Sequence, residues 1–268
     1  MNRHCGEQQA VVAQTRNEPS GGRQEGYSSL IMTRILIAVP ALNEEASING
    51  VVGEIKRQFP HMDVLVVDDG STDNTRYCAI EAGANVLSLP FNVGVGGAMR
   101  SAFLYAERHE YEVVVQVDGD GQHDILSITK LVEGVMQADV VIGSRFTGET
   151  TYVVRGPRRW AMRLLAATLS GVTGTKLTDV TSGFRASGPR AIQLFARDYP
   201  VEYLGDTVDS IVLAHRAGLV IEEVPVLMHG RLTGEASQGF VKSTLYLFRS
   251  VLAIVVSLSR GKHAGEAS

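Results

Sequence analysis

Two aspartates separated by one glycine follow an apolar stretch in the middle of the chain. The segment reads VVVQVDGDGQHD, from Val113 to Asp124, and contains no Lys or Arg. Alternate residues of an extended backbone point to the same side, so the carboxylates of Asp118 and Asp120 are predicted to face one spot. Two carboxylates this close repel each other unless a cation lies between them or one is protonated. The spacing therefore predicts a cation site.

A hard divalent cation would neutralise this charge. Mg²⁺ takes oxygen ligands and usually keeps positions open for substrate phosphates, and Mn²⁺ suits the same ligands. Gln122 lies two residues beyond Asp120 and can add a neutral carbonyl oxygen. We therefore predict that Asp118, Asp120 and Gln122 hold Mg²⁺ or Mn²⁺. A solvated turn is the alternative for an isolated pair of this kind, so the prediction depends on the neighbouring segments.

Those neighbours follow other predicted strands. Apolar runs at Arg34–Pro40, Asp63–Asp69, Val113–Asp118 and Asp139–Ser144 alternate with segments of helical spacing. Strands that are apolar on both faces and alternate with helices belong to a mostly parallel sheet with helices on both faces. In such α/β sheets a ligand binds at the carboxyl ends of the strands. The aspartate pair is predicted to lie at that edge.

Acidic segments also follow the first two strands. PALNEE follows the first strand, and the second ends in Asp68-Asp69-Gly70-Ser71 just before a helix. An aspartate at this turn can accept a hydrogen bond from a nucleobase N–H. Taken alone, the same four residues could be no more than a helix N-cap.

Together these motifs resemble family 2 glycosyltransferases of the GT-A fold, and most closely the dolichol- or polyprenyl-phosphate sugar synthases. NVGVGGAMRSAF, GSRF, DVTSGFRA and EEVPVLMHGRLTGEAS have counterparts there in this order, and the resemblance covers residues 34–240. It implies a GT-A domain over residues 32–238, with a Rossmann-like, mostly parallel sheet.

The resemblance also implies roles for individual residues. Arg145, in the Gly-Ser-Arg motif, would contact phosphates, and Arg158 or Arg159 would meet the phosphate of the acceptor. The nucleotide-sugar would contact a larger set: Pro40, Leu42, Asn43, Glu44, Val67, Asp69, Asp118, Gly119, Asp120 and Arg231.

The implied reaction is inverting, metal-dependent sugar transfer from a nucleotide-sugar to a polyprenyl or dolichyl phosphate. GDP-mannose, UDP-glucose and UDP-N-acetylhexosamine all remain open as donors. A phosphate acceptor is already ionised near neutral pH and needs no base. A soluble hydroxyl acceptor would need a carboxylate base, for which Asp206 and Asp209 are the candidates. A non-catalytic nucleotide-sugar-binding module is the alternative from a different class.

The two ends of the chain differ from the middle. Residues 1–31 contain no apolar signal segment and are predicted to form a disordered tail. Residues 239–268 contain the apolar segment Ser243–Arg260 with basic neighbours. We expect a C-terminal amphipathic helix there, which either packs on the domain or contacts anionic lipid.

Net charge and cysteine content limit the binding partners and the cellular compartment that the sequence predicts. The net charge of −4 gives no basic surface for nucleic acid, and two cysteines without a CxxC pair favour a reducing compartment. A cytoplasmic protein held peripherally at the cytoplasmic face of the membrane is predicted.

Overall fold

A mostly parallel β-sheet lies at the centre of the described part of the chain. The computed structural model describes residues 33–146, 157–201 and 205–228. Within them the strands are β1 Ile35–Ala41, β2 Asp63–Asp68, β3 Asn85–Ser88, β4 Val113–Gln116, β5 Val140–Ser144, β6 Arg185–Ser187 and β7 Ile221–Pro225. Their order in the sheet is β3-β2-β1-β4-β6-β5-β7. Neighbouring strands are parallel, except that β6 is antiparallel to both β4 and β5.

Helices connect most of these strands. The described α-helices are α1 Ile48–Gln58, α2 Thr75–Glu81, α3 Gly94–Arg108, α4 Ile128–Val135, α5 Pro157–Thr173, α6 Pro189–Asp198 and α7 Ser210–Arg216. A 3₁₀ turn, Ile125–Ser127, precedes α4, and a π-helical turn, Gly205–Asp209, precedes α7. This alternation confirms the predicted α/β architecture.

Both faces of the sheet are covered. Leu36 and Ile37 are adjacent in β1 and both are fully buried. Because neighbouring residues of a strand point to opposite faces, burial of both requires cover on each side. β4 and β5 are buried throughout as well. The continuous apolar runs in the sequence are therefore explained by burial on both faces.

The position of β6 was not predicted. DVTSGFRA has no apolar alternation that would predict a strand, but its last two residues begin a strand that pairs antiparallel with both β4 and β5. Three residues with an arginine first carry no apolar pattern of their own. Their extended conformation is imposed by the two neighbouring strands.

Several predictions lie outside the described residues. They concern the tail over residues 1–31, Arg231, and the apolar segment Ser243–Arg260. The predicted domain limits therefore stay predictions. No described helix has the length and hydropathy needed to span a bilayer.

Candidate active site

The carboxyl ends of β1, β2 and β4 meet at one edge of the sheet. Ala41 at the end of β1 pairs with Asp68 at the end of β2. Beyond β4, the backbone N–H of Val117 donates to the carbonyl of Ala38 at 3.0 Å, which keeps the chain beside β1 up to Asp118. The aspartate pair thus follows the central strands, where the sheet rule places a ligand.

The turn that contains Asp118 and Asp120 is held by its own polar groups. Asp120 accepts hydrogen bonds from the backbone N–H of Gln122 at 3.1 Å and from its side-chain amide at 2.5 Å. The amide nitrogen of Gln122 therefore faces this carboxylate, and its predicted role as a ligand through oxygen stays a prediction. The Asp118 side chain is 40% exposed.

The buried side chain of His123 contacts both the backbone and the carboxylate of Asp118. Its Nδ1 accepts the backbone N–H of Asp118 at 3.2 Å, and its Nε2 lies 3.4 Å from Oδ2 of the same residue. The ring stacks on Phe184 with centroids 4.5 Å apart. Burial lowers the pKa of His123, against the opposing effect of the Asp118 carboxylate. A neutral ring that accepts at Nδ1 carries its proton on Nε2, so it can donate toward Asp118.

Gly183 leaves room for the Asp118 carboxylate. A Cβ at this position would lie 3.0 Å from Oδ1 of Asp118 and 3.1 Å from the amide nitrogen of Gln116. A larger residue would press on the carboxylate. The glycine of the Ser-Gly-Phe sequence is therefore explained by its approach to Asp118.

The donor set at this turn fits a divalent ion that is completed by substrate. Mg²⁺ is usually held by one or two carboxylates plus phosphate oxygens, and Asp118 and Asp120 supply such a pair. No cluster of three or more His, Cys, Asp or Glu side chains suited to a metal occurs among the described residues. The chemistry matches an ion that binds together with a diphosphate.

The loops after β1 and β2 are bound to each other. Asn43 has a positive φ of 55°, and its backbone N–H donates to Ser71 Oγ at 3.0 Å. Its side-chain oxygen accepts the N–H of Thr72 at 2.9 Å. Gly70 has φ 76°, and a Cβ there would lie 2.8 Å from the carbonyl carbon of Phe91. These contacts hold together the two loops that are predicted to bind the nucleotide.

Other residues predicted for this pocket lie in the loop after β1 and in β2. The backbone N–H of Glu44 donates to Thr75 Oγ1 at 2.8 Å, and its carboxylate accepts the Ser47 hydroxyl at 2.8 Å. Leu42 is exposed, whereas Val67 is fully buried in β2. Leu42 is therefore accessible to a ligand. The Val67 side chain is not accessible, so its predicted contact with the nucleotide stays a prediction.

Asp69 caps helix α3. Its two carboxylate oxygens accept the backbone N–H groups of Val93 at 2.7 Å and Gly94 at 2.9 Å. Burial raises the pKa of Asp69, and these two hydrogen bonds partly offset the effect. The predicted contact with a nucleobase would have to use the remaining lone pairs of the carboxylate.

Arg145 lies just beyond β5, at the same edge of the sheet. Its guanidinium group pairs with the buried carboxylate of Asp179 through two nitrogens, at 2.6 and 2.7 Å. Its predicted contact with phosphate stays a prediction. Of the two arginines predicted for the acceptor, Arg159 is exposed near the start of α5, and Arg158 is the second residue of that helix.

Asp206 and Asp209 have different environments in the π-helical turn. Asp206 is 6% exposed, whereas Asp209 is exposed. Burial raises the pKa of Asp206 to about 6, an effect that Arg185 reduces and Asp118 increases. The influence of Asp118 places Asp206 within electrostatic reach of the aspartate pair. Asp206 is therefore the better candidate of the two for a base.

We expect replacement of Asp206 by asparagine to change how stability depends on pH. The raised pKa means that the free energy of unfolding falls as the pH rises from about 4 to 6, because the unfolded carboxyl ionises more readily. A shift of this size corresponds to about 3 kcal/mol, since one pKa unit is about 1.4 kcal/mol. Relative to the wild type, Asp206→Asn should gain stability across this range.

Urea unfolding in EDTA at several pH values measures this effect. Asp209→Asn is the matched control, because its exposed carboxylate should produce no such change. A stability difference between Asp206→Asn and the wild type that stays constant from pH 4.5 to 7.5 would contradict the prediction.

Three polar residues of this region, two of them buried and one half-buried, were not predicted as functional. Arg185 donates to the carbonyls of Val180 and Ser182 at 2.9 and 2.7 Å, and to that of Thr207 at 2.8 Å. It thereby joins β6 to the π-helical turn that carries Asp206. Asp179 and Glu223 are the others. The one signal in the sequence that could have indicated these three residues is the polar segment in which each of them lies.

The chain is similar to known proteins over most of its length. The model of the family described as glycosyl transferase family 2 matches residues 36–193. An undecaprenyl-phosphate mannosyltransferase of Micrococcus luteus is 34% identical over 215 residues, which cover 76% of this chain and 86% of that protein. A polyprenol monophosphomannose synthase of Mycolicibacterium smegmatis is 31% identical over 57% of this chain and 61% of that protein.

A solved structure shares the fold. Glucosyl-3-phosphoglycerate synthase from Mycobacterium tuberculosis, in complex with Mn²⁺, UDP-glucose and phosphoglyceric acid, superposes with a TM-score of 0.62 at 26% identity. The match covers 91% of this chain and 86% of the other. It agrees with the GT-A fold expected from the motifs.

Proposed function

This chain belongs to glycosyl transferase family 2 and is a glycosyltransferase, and we propose that it transfers a sugar from a nucleotide-sugar to a polyprenyl phosphate. The observation that carries the proposal is the Asp118-Gly119-Asp120 turn beside the joined loops of β1 and β2. Family membership sets aside the non-catalytic binding module. The names of relatives support the acceptor, since they include undecaprenyl-phosphate, dolichyl-phosphate and dodecaprenyl-phosphate sugar transferases.

The donor would bind at the edge formed by β1, β2 and β4. Asp118 and Asp120 would hold Mg²⁺ or Mn²⁺, and a bound ion would offset the negative charge of the departing nucleoside diphosphate. The Mn²⁺ and UDP-glucose in the related solved structure support this role. Two relatives above 30% identity are named for mannose transfer, so GDP-mannose is the first donor to test.

The acceptor phosphate would need orientation and not deprotonation. Its second pKa is about 6, so a phosphate monoester is mostly doubly ionised at neutral pH. An oxygen of the phosphate would attack the anomeric carbon while the bond from that carbon to the nucleoside diphosphate breaks. A single displacement of this kind inverts the anomeric configuration. Arg145, together with Arg158 or Arg159, would supply positive charge to the phosphate groups of donor and acceptor.

A hydroxyl acceptor is the second candidate, and Asp206 is the observation that favours it. A buried carboxyl with its pKa raised to about 6 is suited to accept a proton near neutral pH. The related synthase, named for glucosyl-3-phosphoglycerate, was solved with phosphoglyceric acid rather than a lipid. Under this alternative Asp206 would be required for turnover.

A lipid-phosphate acceptor would bring the enzyme to a membrane. The apolar segment Ser243–Arg260, with basic residues around it, is the part of the sequence suited to lie on anionic lipid. We propose peripheral contact at the cytoplasmic face through this segment.

A donor panel tests the proposed function. The full chain is incubated with undecaprenyl phosphate in detergent, Mg²⁺ or Mn²⁺, and GDP-mannose, UDP-glucose or UDP-N-acetylglucosamine in turn. We expect one donor to give a lipid-linked hexose phosphate by mass spectrometry, with inverted anomeric configuration by NMR. Transfer to phosphoglyceric acid without any lipid product would favour the hydroxyl acceptor instead.

A further inference from the structure

A chain of partly buried hydrogen bonds leads from strand β7 to Arg145. Glu223, in β7, accepts the backbone N–H of Thr178 at 2.7 Å and that of Asp179 at 2.6 Å, one with each carboxylate oxygen. Thr178 lies 45 positions before Glu223 in the sequence, and Asp179 lies 44 positions before it. The loop before β6 is thus fixed to the edge of the sheet by one side chain.

Asp179 extends this chain to Arg145. Its Oδ2 accepts the Arg145 backbone N–H at 3.0 Å and Nε at 2.6 Å, and its Oδ1 accepts Nη2 at 2.7 Å. Nη2 also donates to Thr181 Oγ1 at 3.0 Å. The Asp179 side chain is 0% exposed and that of Arg145 is 13% exposed. A two-nitrogen fork of this kind fixes the plane of the guanidinium group as well as its position.

Stability alone is a weak explanation for this pair. A buried ion pair is often no more stabilising than apolar residues of similar volume, because both charges lose their hydration. The location is informative, since Arg145 follows β5 at the edge where the aspartate pair lies. The segment that carries Asp179 also reaches the aspartate pair, because a Cβ at Gly183 would lie 3.0 Å from Oδ1 of Asp118. The Arg145–Asp179 pair therefore lies at the candidate site.

We infer that Asp179 and Glu223 are positioning residues that hold Arg145 ready for a phosphate group of the substrates. The inference rests on the proposed function, which gives Arg145 a phosphate to contact. Glu223 fixes the loop, the loop fixes the Asp179 carboxylate, and the carboxylate orients the guanidinium group. A misplacement of about 1 Å in such a group can cost on the order of 10²-fold in rate.

The test uses the full chain and three variants, Arg145→Met, Asp179→Asn and their combination. Arg145→Met should lower kcat/KM for undecaprenyl phosphate by roughly 10- to 100-fold, and Asp179→Asn by about 10-fold, because the guanidinium is lost or misplaced. The double variant should be no worse than Arg145→Met alone, because Asp179 acts through Arg145. The KM for the nucleotide-sugar should change less than that for the lipid.

A matched control exists at the other end of β5. Asp139 also pairs with an arginine, Arg190, at 2.9 Å and also accepts a backbone N–H, from Val220 at 2.8 Å. Asp139→Asn should lower the Tm and leave kcat/KM unchanged. If Asp179→Asn does not fold, Glu223→Gln provides the same comparison with a milder loss of activity.

The possible results separate the two ideas. Normal transfer by folded Asp179→Asn and Glu223→Gln would overturn the positioning role. Losses that multiply in the double variant would also overturn it, since Asp179 would then act independently of Arg145. Absence of lipid product in the wild type would instead overturn the proposed function, and normal transfer by Arg145→Met would remove the phosphate contact on which the inference rests.

Discussion

Replacement of Asp120 by asparagine is expected to lower the rate of sugar transfer by about 10²-fold or more, the scale of losing one main stabiliser of transition-state charge. Asparagine keeps the size of the side chain and one oxygen that can accept the Gln122 N–H. It removes the negative charge that a divalent ion needs. Asp118→Asn is expected to have an effect of similar size, and EDTA should abolish transfer by the wild type.

The measurement is transfer at saturating donor over a range of Mn²⁺ and Mg²⁺ concentrations. Asp124→Asn is the matched control, because this acid lies in the same segment and its carboxylate accepts the Ser127 hydroxyl at 2.7 Å. It should keep its rate within a few-fold. Full activity of Asp120→Asn, or of the wild type in EDTA, would show that this turn does not hold a metal required for the reaction.

The fold could be predicted where the sequence pattern is local. Apolar runs flanked by polar turns indicated β1, β2, β4 and β5, because each strand is buried on both faces and carries that burial in its composition. β6 could not be predicted in this way. Its three residues become a strand only because β4 and β5 lie on either side of them.

The candidate site shows the same division. Asp118 and Asp120 could be selected because their two-residue spacing and their charge are visible in a short segment. The partner of Arg145 could not be predicted, since Asp179 is 34 residues away and nothing in the sequence around either residue indicates that the two form an ion pair. Asp69 was selected for a nucleobase, and its contacts with helix α3, 24 and 25 residues away, could not be foreseen.

The contacts of Asp69 change what its replacement should do. Asp69→Ala is expected to remove nucleotide binding and also to lower stability by about 1 kcal/mol or more, because two backbone N–H groups at the start of α3 lose their carboxylate acceptor. In the wild type, a matching nucleoside diphosphate at about 100 times its Kd adds about 2.7 kcal/mol to the free energy of unfolding. For a domain of this size that is a rise in Tm of roughly 5 to 10 °C. Asp69→Ala should show no such rise.

Asn92→Ala separates the two consequences, because the Asn92 side chain accepts the same Gly94 N–H at 2.9 Å without belonging to the predicted nucleotide set. Both variants weaken the start of α3, so both should have a lower Tm than the wild type without ligand. Melting is then followed with UDP, GDP, CDP and TDP in turn, each with Mg²⁺. If Asn92→Ala keeps the rise and Asp69→Ala loses it, the carboxylate serves the nucleotide as well as the helix. An equal rise in both would leave Asp69 with the capping role alone.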